Sequence, residues 1–140
     1  MVPAGVGDVV ALAEGGAARA FGIHHSVPSL GWALSGSDNQ RPTFAFAGDG
    51  TVLPFENDPS LLDATVAVVD CSFVDSGTRV AARLGGHGHI QDWINLAPQL
   101  PCDVLVLAHL PPEATAEGLL ASLRELGPDS PIVVPWMARQ

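Results

Sequence analysis

Two short runs of consecutive apolar residues, 66–69 and 104–107, constrain the fold of this chain more than any other feature of its sequence. Neither run alternates polar with apolar residues, and each is too short for a buried helix. Such runs are typical of strands that are covered on both faces. Helical patterns bounded by turn residues follow each run, so the chain is expected to alternate strands and helices around a sheet.

Turn and capping residues define the other predicted elements. Expected strands are 9–13, 19–25, 30–34, 43–47 and 132–134, and expected helices are 60–64, 75–84, 90–100 and one that begins at Pro111 and Pro112. Hairpin-like strands dominate before Asp49, and strands alternate with helices after it. We therefore predict the α/β (α+β) class, with a mixed β-sheet that carries helices mainly on one face, in a single domain over residues 1–140.

The charge of the chain disfavours nucleic acid as a partner. Fifteen acidic residues are set against six arginines and no lysine, which gives a formal net charge of -9. Phosphate backbones are bound by clustered basic residues, whereas these arginines are spread from Arg19 to Arg139. The acidity is compatible with a site for metal cations or with a surface that serves only solubility.

Cysteine usage and hydropathy bear on the compartment of the protein. Cys71 and Cys102 lie in strand-like apolar runs and form no Cys-x-x-Cys pair, so we expect buried, reduced thiols. No apolar stretch approaches the roughly 20 residues needed to cross a bilayer, and no signal-peptide pattern is visible. We expect a cytoplasmic location and no membrane partner.

Five polar residues stand at the ends of apolar strands or just beyond them. These residues are His25, Asp49, Asp70, His87 and His109. Loops that leave the ends of strands gather at one rim of a sheet, and imidazole with carboxylate is a ligand set for zinc, manganese or iron. The pattern therefore predicts a metal site at this rim.

Each of these residues also has a purely structural explanation. His109 could be a rim histidine that bonds a backbone carbonyl, and Asp49, between two glycines, could cap its own turn. His87 lies in a Gly/His loop of a kind that is frequently a flexible surface turn. Of the neighbouring His24 and His25 only one can face a site, because successive strand residues point to opposite faces.

Five segments carry the candidate residues in a fixed order. They are His25 with Gly31-Trp32 six residues later, Phe46-Ala47-Gly48-Asp49-Gly50, Val69-Asp70-Cys71-Ser72-Phe73, Gly86-His87 and Leu105-Val106-Leu107-Ala108-His109. In order and spacing they resemble the C-terminal half of a metallo-β-lactamase superfamily protein of the ribonuclease Z-like branch. The fold that this resemblance implies is half of the αββα sandwich of that superfamily.

The resemblance implies a role for each residue. His25 and His109 resemble terminal metal ligands, and Asp49 resembles the aspartate that bridges two metals. Asp70 takes the place of the acid in the family's His-Glu-Ala-Thr-Phe segment, and His87 takes the place of the histidine that pairs with this acid. The resemblance implies that this pair orients or protonates the leaving group. The implied activity is hydrolysis of phosphodiester or related ester bonds with Zn²⁺, Mn²⁺ or Fe²⁺, on a small-molecule or nucleotide ester.

Departures from the family pattern limit what can be carried over. The His-x-His-x-Asp-His cluster, which supplies further metal ligands, is absent from this sequence, and Gly50 replaces the threonine after the bridging aspartate. Leu110-Pro111-Pro112 replaces the polar residues that usually follow the last ligand. The chain is therefore expected to need a complementary N-terminal half or subunit, or a homo-oligomer. We expect low or absent metal occupancy in the isolated chain, and we do not expect tRNA to be a substrate.

Two further hypotheses remain open at this stage. A truncated metallo-β-lactamase-like domain could act as a non-catalytic subunit or scaffold, which the missing ligand cluster and Gly50 favour. Alternatively, His25, Asp49 and His109 could hold a single Zn²⁺ ion with a water molecule in the open position.

Overall fold

The sheet is mixed, as the sequence predicts. A computed structural model describes residues 4–38 and 41–136 of the chain. Its strands are β1 (Val9–Ala11), β2 (Ala17–Ile23), β3 (Ser29–Ser35), β4 (Phe44–Phe46), β5 (Val66–Asp70), β6 (Val104–Ala108) and β7 (Ile132–Pro135). The strands lie side by side in chain order, antiparallel from β1 to β4 and parallel from β4 to β7. Short connections produce the antiparallel part, and crossovers that contain helices produce the parallel part.

The helices of the described chain lie against the parallel strands. They are α1 (Leu53–Asn57), α2 (Arg79–Gly85), α3 (Ile90–Leu96) and α4 (Ala116–Leu123). Phe55 of α1, Trp93 of α3 and Leu119 of α4 are buried in one core with Ala67 and Leu105 of the sheet. The helices thus pack mainly on one face, which confirms the predicted arrangement. None of them is long and apolar enough to cross a membrane.

The opposite face of the sheet is open. Within β5, Ala67 and Val69 are at most 1% exposed, whereas Val66 and Val68 on the other face are only half-buried. A groove of about 400 Å³ runs over this face and is lined by Phe44, Phe46, Val66, Val68, Val106, Ala108 and Trp136. The expectation that the apolar runs are covered on both faces is therefore wrong for the described part of the chain, which covers only the helix side.

The first helix departs from the prediction. The sequence pattern places a helix at residues 60–64, but α1 begins at Leu53 with Pro54 in its first turn, and Pro59–Leu62 forms only a 3-10 turn. Proline is tolerated in a first helical turn because the N–H groups there have no helical partner. Phe55 is 1% exposed, so packing into the core stabilises a helix that its local sequence signals weakly.

An ion-pair network joins α2 to α3. The Asp92 carboxylate is buried and accepts hydrogen bonds from Arg79 Nε at 2.7 Å and from Arg83 Nη2 at 2.9 Å. Burial by itself raises the pKa of Asp92, but the hydrogen bonds from Arg83 and Arg79 hold that pKa below its usual value. The loop that joins the two helices carries His87, so this network holds both ends of the loop in place.

Replacing Asp92 with asparagine should lower the free energy of unfolding by about 2 kcal/mol at neutral pH, because two arginines lose their buried anionic partner. The folded-state pKa of Asp92 is lowered. The carboxylate therefore contributes stability above an unfolded-state pKa of about 4, and this contribution is lost as pH falls through the folded-state value. Urea unfolding should show the full difference at neutral pH and a shrinking one below about pH 4.

The exposed Asp129, changed to asparagine, is the matched control for this measurement and should alter stability little. A difference between Asp92→Asn and the parent chain that stays constant down to about pH 3 would contradict the stabilising role of the ionised carboxylate.

Candidate metal centre

The predicted site residues lie at one rim of the sheet. Asp49 follows β4, Asp70 ends β5 and His109 follows β6 directly. His25 follows β2, which runs in the same direction as β4 because β3 is antiparallel to both. His87 lies in the loop between α2 and α3. Parallel strands deliver their carboxyl ends to the same edge, which is how residues far apart in sequence come together here.

The buried Asp70 carboxylate is the centre of the site. Its Oδ2 accepts hydrogen bonds from the main-chain N–H groups of Gly50 at 3.3 Å and Gly88 at 3.1 Å, and His87 Nδ1 lies 2.8 Å from the same oxygen. Its Oδ1 accepts a hydrogen bond from Ser72 Oγ. A buried carboxylate needs partners of this kind, and these contacts satisfy both of its oxygens.

Two glycines allow the main chain to approach this carboxylate. A Cβ atom on Gly88 would lie 1.9 Å from the Asp70 carbonyl oxygen, which also accepts a hydrogen bond from Trp93 Nε1 at 2.7 Å. A Cβ atom on Gly50 would lie 2.2 Å from Ile23 Cγ2. Close packing against Ile23 at the end of β2 therefore explains why position 50 is glycine, where the ribonuclease Z-like pattern has threonine.

His109 combines an unusual backbone conformation with an exposed side chain. Its φ of 58° is in the left-handed region, which residues other than glycine rarely adopt. The sharp turn directly after β6 brings its Nδ1 to 3.1 Å from Ser72 Oγ and 3.2 Å from Asp49 Oδ1. The His109 and Asp49 side chains are each 55% exposed, so this part of the site is open to solvent. Backbone strain at an exposed polar residue is typical of functional positions.

His25 lies at the edge of the group. Its ring meets the His87 ring edge-on, with the ring centroids 5.1 Å apart, and its Nδ1 is 3.4 Å from the main-chain N–H nitrogen of Val27. His24 is exposed, and its Nδ1 lies 3.2 Å from Thr51 Oγ1 instead. Of the two adjacent histidines, only His25 contacts the other site residues.

The side chains at the rim fit a divalent metal ion. One ligand atom from each of Asp70, His87 and His109 lies within 4.8 Å of the others. A carboxylate with two imidazoles suits zinc, manganese or iron. This trio differs from the ligand set His25, Asp49 and His109 that the family resemblance implies. The Oδ2 atom of Asp70 is already surrounded by three nitrogens, which favours an orienting role for Asp70 over direct ligation.

The two thiols stand outside this chemistry. Cys71 and Cys102 are free and buried, as the sequence predicts. Burial raises the pKa of Cys71 to about 12 and that of Cys102 to about 11. Both thiols therefore stay protonated at neutral pH, and a protonated thiol is a poor ligand and a poor nucleophile.

Three contributors to the site were not recognised from the sequence. They are Ser72 and the main-chain N–H groups of Gly50 and Gly88. The two-residue spacing between Asp70 and Ser72 is the only sequence signal for the serine, and it is weak because serine is common in loops. Every residue except proline has a main-chain N–H group, so only the folded geometry selects these two.

Comparison with known proteins identifies the fold. No protein-family model and no curated protein sequence matches the chain. Among solved structures, the metallo-β-lactamase fold protein YhfI from Bacillus subtilis matches with a TM-score of 0.70 and 14% identity, over 96% of this chain and 51% of that one. Unliganded yeast PDE1 matches with a TM-score of 0.70 and 15% identity, over 98% of this chain and 48% of that one. The short form of human tRNase Z (ELAC1) matches with a TM-score of 0.60 and 21% identity, over 74% of this chain and 39% of that one.

These matches define the class of structure to which the chain belongs. The chain has the metallo-β-lactamase fold, as the order and spacing of its motifs predict. It spans about half the length of YhfI and of yeast PDE1, and 39% of the length of human tRNase Z. The fold class predicted from the sequence, a mixed sheet corresponding to half of a metallo-β-lactamase domain, is confirmed.

Proposed function

We propose that this chain is part of a cytoplasmic, ribonuclease Z-like, metal-dependent hydrolase that cleaves phosphodiester or related ester bonds in a small-molecule or nucleotide ester. The observation that carries the proposal is the meeting of Asp49, Asp70, His87 and His109 at one rim of a metallo-β-lactamase fold. Three histidines and two aspartates, with His25 beside His87, provide the nitrogen and oxygen ligands of a hydrolytic metal site.

Each residue has a separate task in this proposal. His25, Asp49 and His109 hold the metal, for which Zn²⁺, Mn²⁺ and Fe²⁺ are the candidates. When bound, such an ion supplies Lewis acidity and generates a nucleophile from water at neutral pH. Asp70 accepts a hydrogen bond from His87 Nδ1 at 2.8 Å, which fixes the orientation of the imidazole ring. The other nitrogen of His87 can then donate a proton to the leaving group.

A second polypeptide segment completes the site in this proposal. The open sheet face carries Phe46 and Trp136 at 45% and 67% exposure, and exposed apolar surface of this extent is typical of a contact face. The solved structures that this chain resembles are about twice its length or more. A complementary N-terminal half or subunit would cover the face and add further metal ligands. A homo-oligomer would cover the face without adding those ligands.

Metal binding tests this proposal most directly. The chain should be titrated with Zn²⁺ against a chelator, alone and after co-expression with a segment that carries a His-x-His-x-Asp-His cluster. We expect weak, substoichiometric binding by the chain alone and up to two ions per complex. His109→Ala and Asp49→Ala should each weaken binding at least tenfold, whereas His24→Ala, next to His25 but bonded to Thr51, should leave it unchanged. A complex that binds no metal would refute the proposal.

A non-catalytic subunit or scaffold is the second candidate function. Among the described arginines, Arg41 pairs with Asp63 and Asp103, and Arg79 and Arg83 pair with Asp92, so these three are not available to bind a phosphate group. This observation also disfavours tRNA as a substrate. A complex that forms stably but holds no metal and hydrolyses no model phosphodiester would favour the scaffold.

A further inference from the structure

Ser72 lies between the two halves of the site. Its Oγ bonds the Asp70 carboxylate on one side and is 3.1 Å from His109 Nδ1 on the other. It lies two residues after the end of β5 and is only partly buried, so it bridges the buried carboxylate and the exposed imidazole. No role for this serine follows from the ligand assignment above.

The direction of the hydrogen bonds follows from the chemistry of the groups. An ionised carboxylate can only accept hydrogen bonds, so the Ser72 hydroxyl donates its single hydrogen to Asp70 Oδ1. Towards His109 the serine oxygen can then only accept. The other oxygen within hydrogen-bond distance of His109 Nδ1 belongs to the Asp49 carboxylate, at 3.2 Å, and it too only accepts. The proton of neutral His109 must therefore sit on Nδ1, which leaves the Nε2 lone pair available.

His87 is oriented in the same sense by the same carboxylate. Its Nδ1 lies 2.8 Å from Asp70 Oδ2, so the Nδ1 proton of His87 points at Asp70, and Nε2 is left for the proposed proton transfer to the leaving group. Asp70 thus orients His87 directly and reaches His109 mainly through Ser72, because His109 Nδ1 is 3.5 Å from Asp70 Oδ1. At that distance the direct hydrogen bond is weak.

We propose that Ser72 is a positioning residue: it links Asp70 to His109 and holds neutral His109 in the tautomer that leaves Nε2 free to bind a metal ion. Asp49 can share this task only while its own carboxylate is free. Once Asp49 ligates a metal, Ser72 is the remaining acceptor at good distance for the Nδ1 proton. The consequence for metal affinity rests on the proposed function, whereas the tautomer assignment does not.

The tautomer can be read without any metal, by long-range ¹H–¹⁵N NMR of the histidine rings in the metal-free chain, with His109→Gln to assign the signals. Asp49→Ala removes the competing acceptor and should leave His109 protonated on Nδ1. Asp49→Ala/Ser72→Ala should lose this preference and populate the Nε2–H form, and Asp49→Ala/Ser72→Thr, which keeps the hydroxyl, should restore it. An unchanged tautomer in the double alanine variant would overturn the proposal.

Zn²⁺ affinity supplies the second readout. Ser72→Ala alone should weaken binding about tenfold, and Ser72→Thr should stay within about twofold of the parent chain. If the tautomer responds as expected but no variant binds Zn²⁺, even after co-expression with a segment that carries a His-x-His-x-Asp-His cluster, the positioning of His109 by Ser72 stands and the metal-dependent hydrolase proposal fails. If Zn²⁺ binds equally well to the parent chain and Ser72→Ala, the positioning role of Ser72 in metal binding is refuted while the hydrolase proposal stands.

Discussion

Replacing Gly88 with alanine is expected to destabilise the folded chain by about 3 kcal/mol, the largest stability effect of any single methyl group near the site. The added Cβ would lie 1.9 Å from the Asp70 carbonyl oxygen and 2.8 Å from Trp93 Nε1. Neither neighbour can move freely, because that oxygen and that nitrogen are hydrogen-bonded to each other in the buried core. The loop that carries His87 must therefore shift away from Asp70. Urea unfolding followed by tryptophan fluorescence measures the loss.

Gly77→Ala is the matched control for this substitution. Gly77 lies in the 3-10 turn directly before α2, and a Cβ atom there meets nothing within 4 Å. It should change stability by less than about 0.5 kcal/mol. If Gly88→Ala is as stable as Gly77→Ala, the close approach between the end of β5 and the loop after α2 is not part of the native fold.

Asp70→Asn is expected to lower Zn²⁺ affinity about 10- to 100-fold and the free energy of unfolding by about 2 kcal/mol. The carboxylate bonds two main-chain N–H groups and the Ser72 hydroxyl, and it lies against His87 Nδ1. An amide of the same shape loses the charge that strengthens these bonds and replaces one acceptor with a donor. The imidazoles of His87 and His109 then lose their fixed orientation. Chelator competition and urea unfolding measure the two effects.

Asp75→Asn provides the control, since Asp75 lies on the loop after β5 with an exposed side chain that caps no helix. The Zn²⁺ affinity and the free energy of unfolding of this variant should match those of the parent chain. Metal binding by Asp70→Asn that equals that of the Asp75 variant would show that Asp70 does not orient the ligands of this centre.

Local sequence pattern predicts the central strands well and the first helix poorly. The runs at 66–69 and 104–107 fall within β5 and β6, because consecutive apolar residues of that length have few other stable conformations. The helix α1 was missed because its local signals are weak and burial of Phe55 stabilises it. A run of apolar residues also does not show whether the same chain or another one covers each face of the strand. The sequence therefore predicts that both faces of β5 are covered, whereas the described part of the chain leaves one face open.

By itself the sequence determined which side chains could form a site and in what order along the chain they occur, because each follows a strand or loop signal that local residues set. Only the tertiary structure decided which of them meet. The Asp70–His87 contact, the Ser72 bridge to His109 and the main-chain donors of Gly50 and Gly88 all depend on strand register and on how closely two backbones approach. Those quantities are fixed by packing across the whole sheet, and main-chain groups, being the same in nearly every residue, carry no signature of their partners in the sequence.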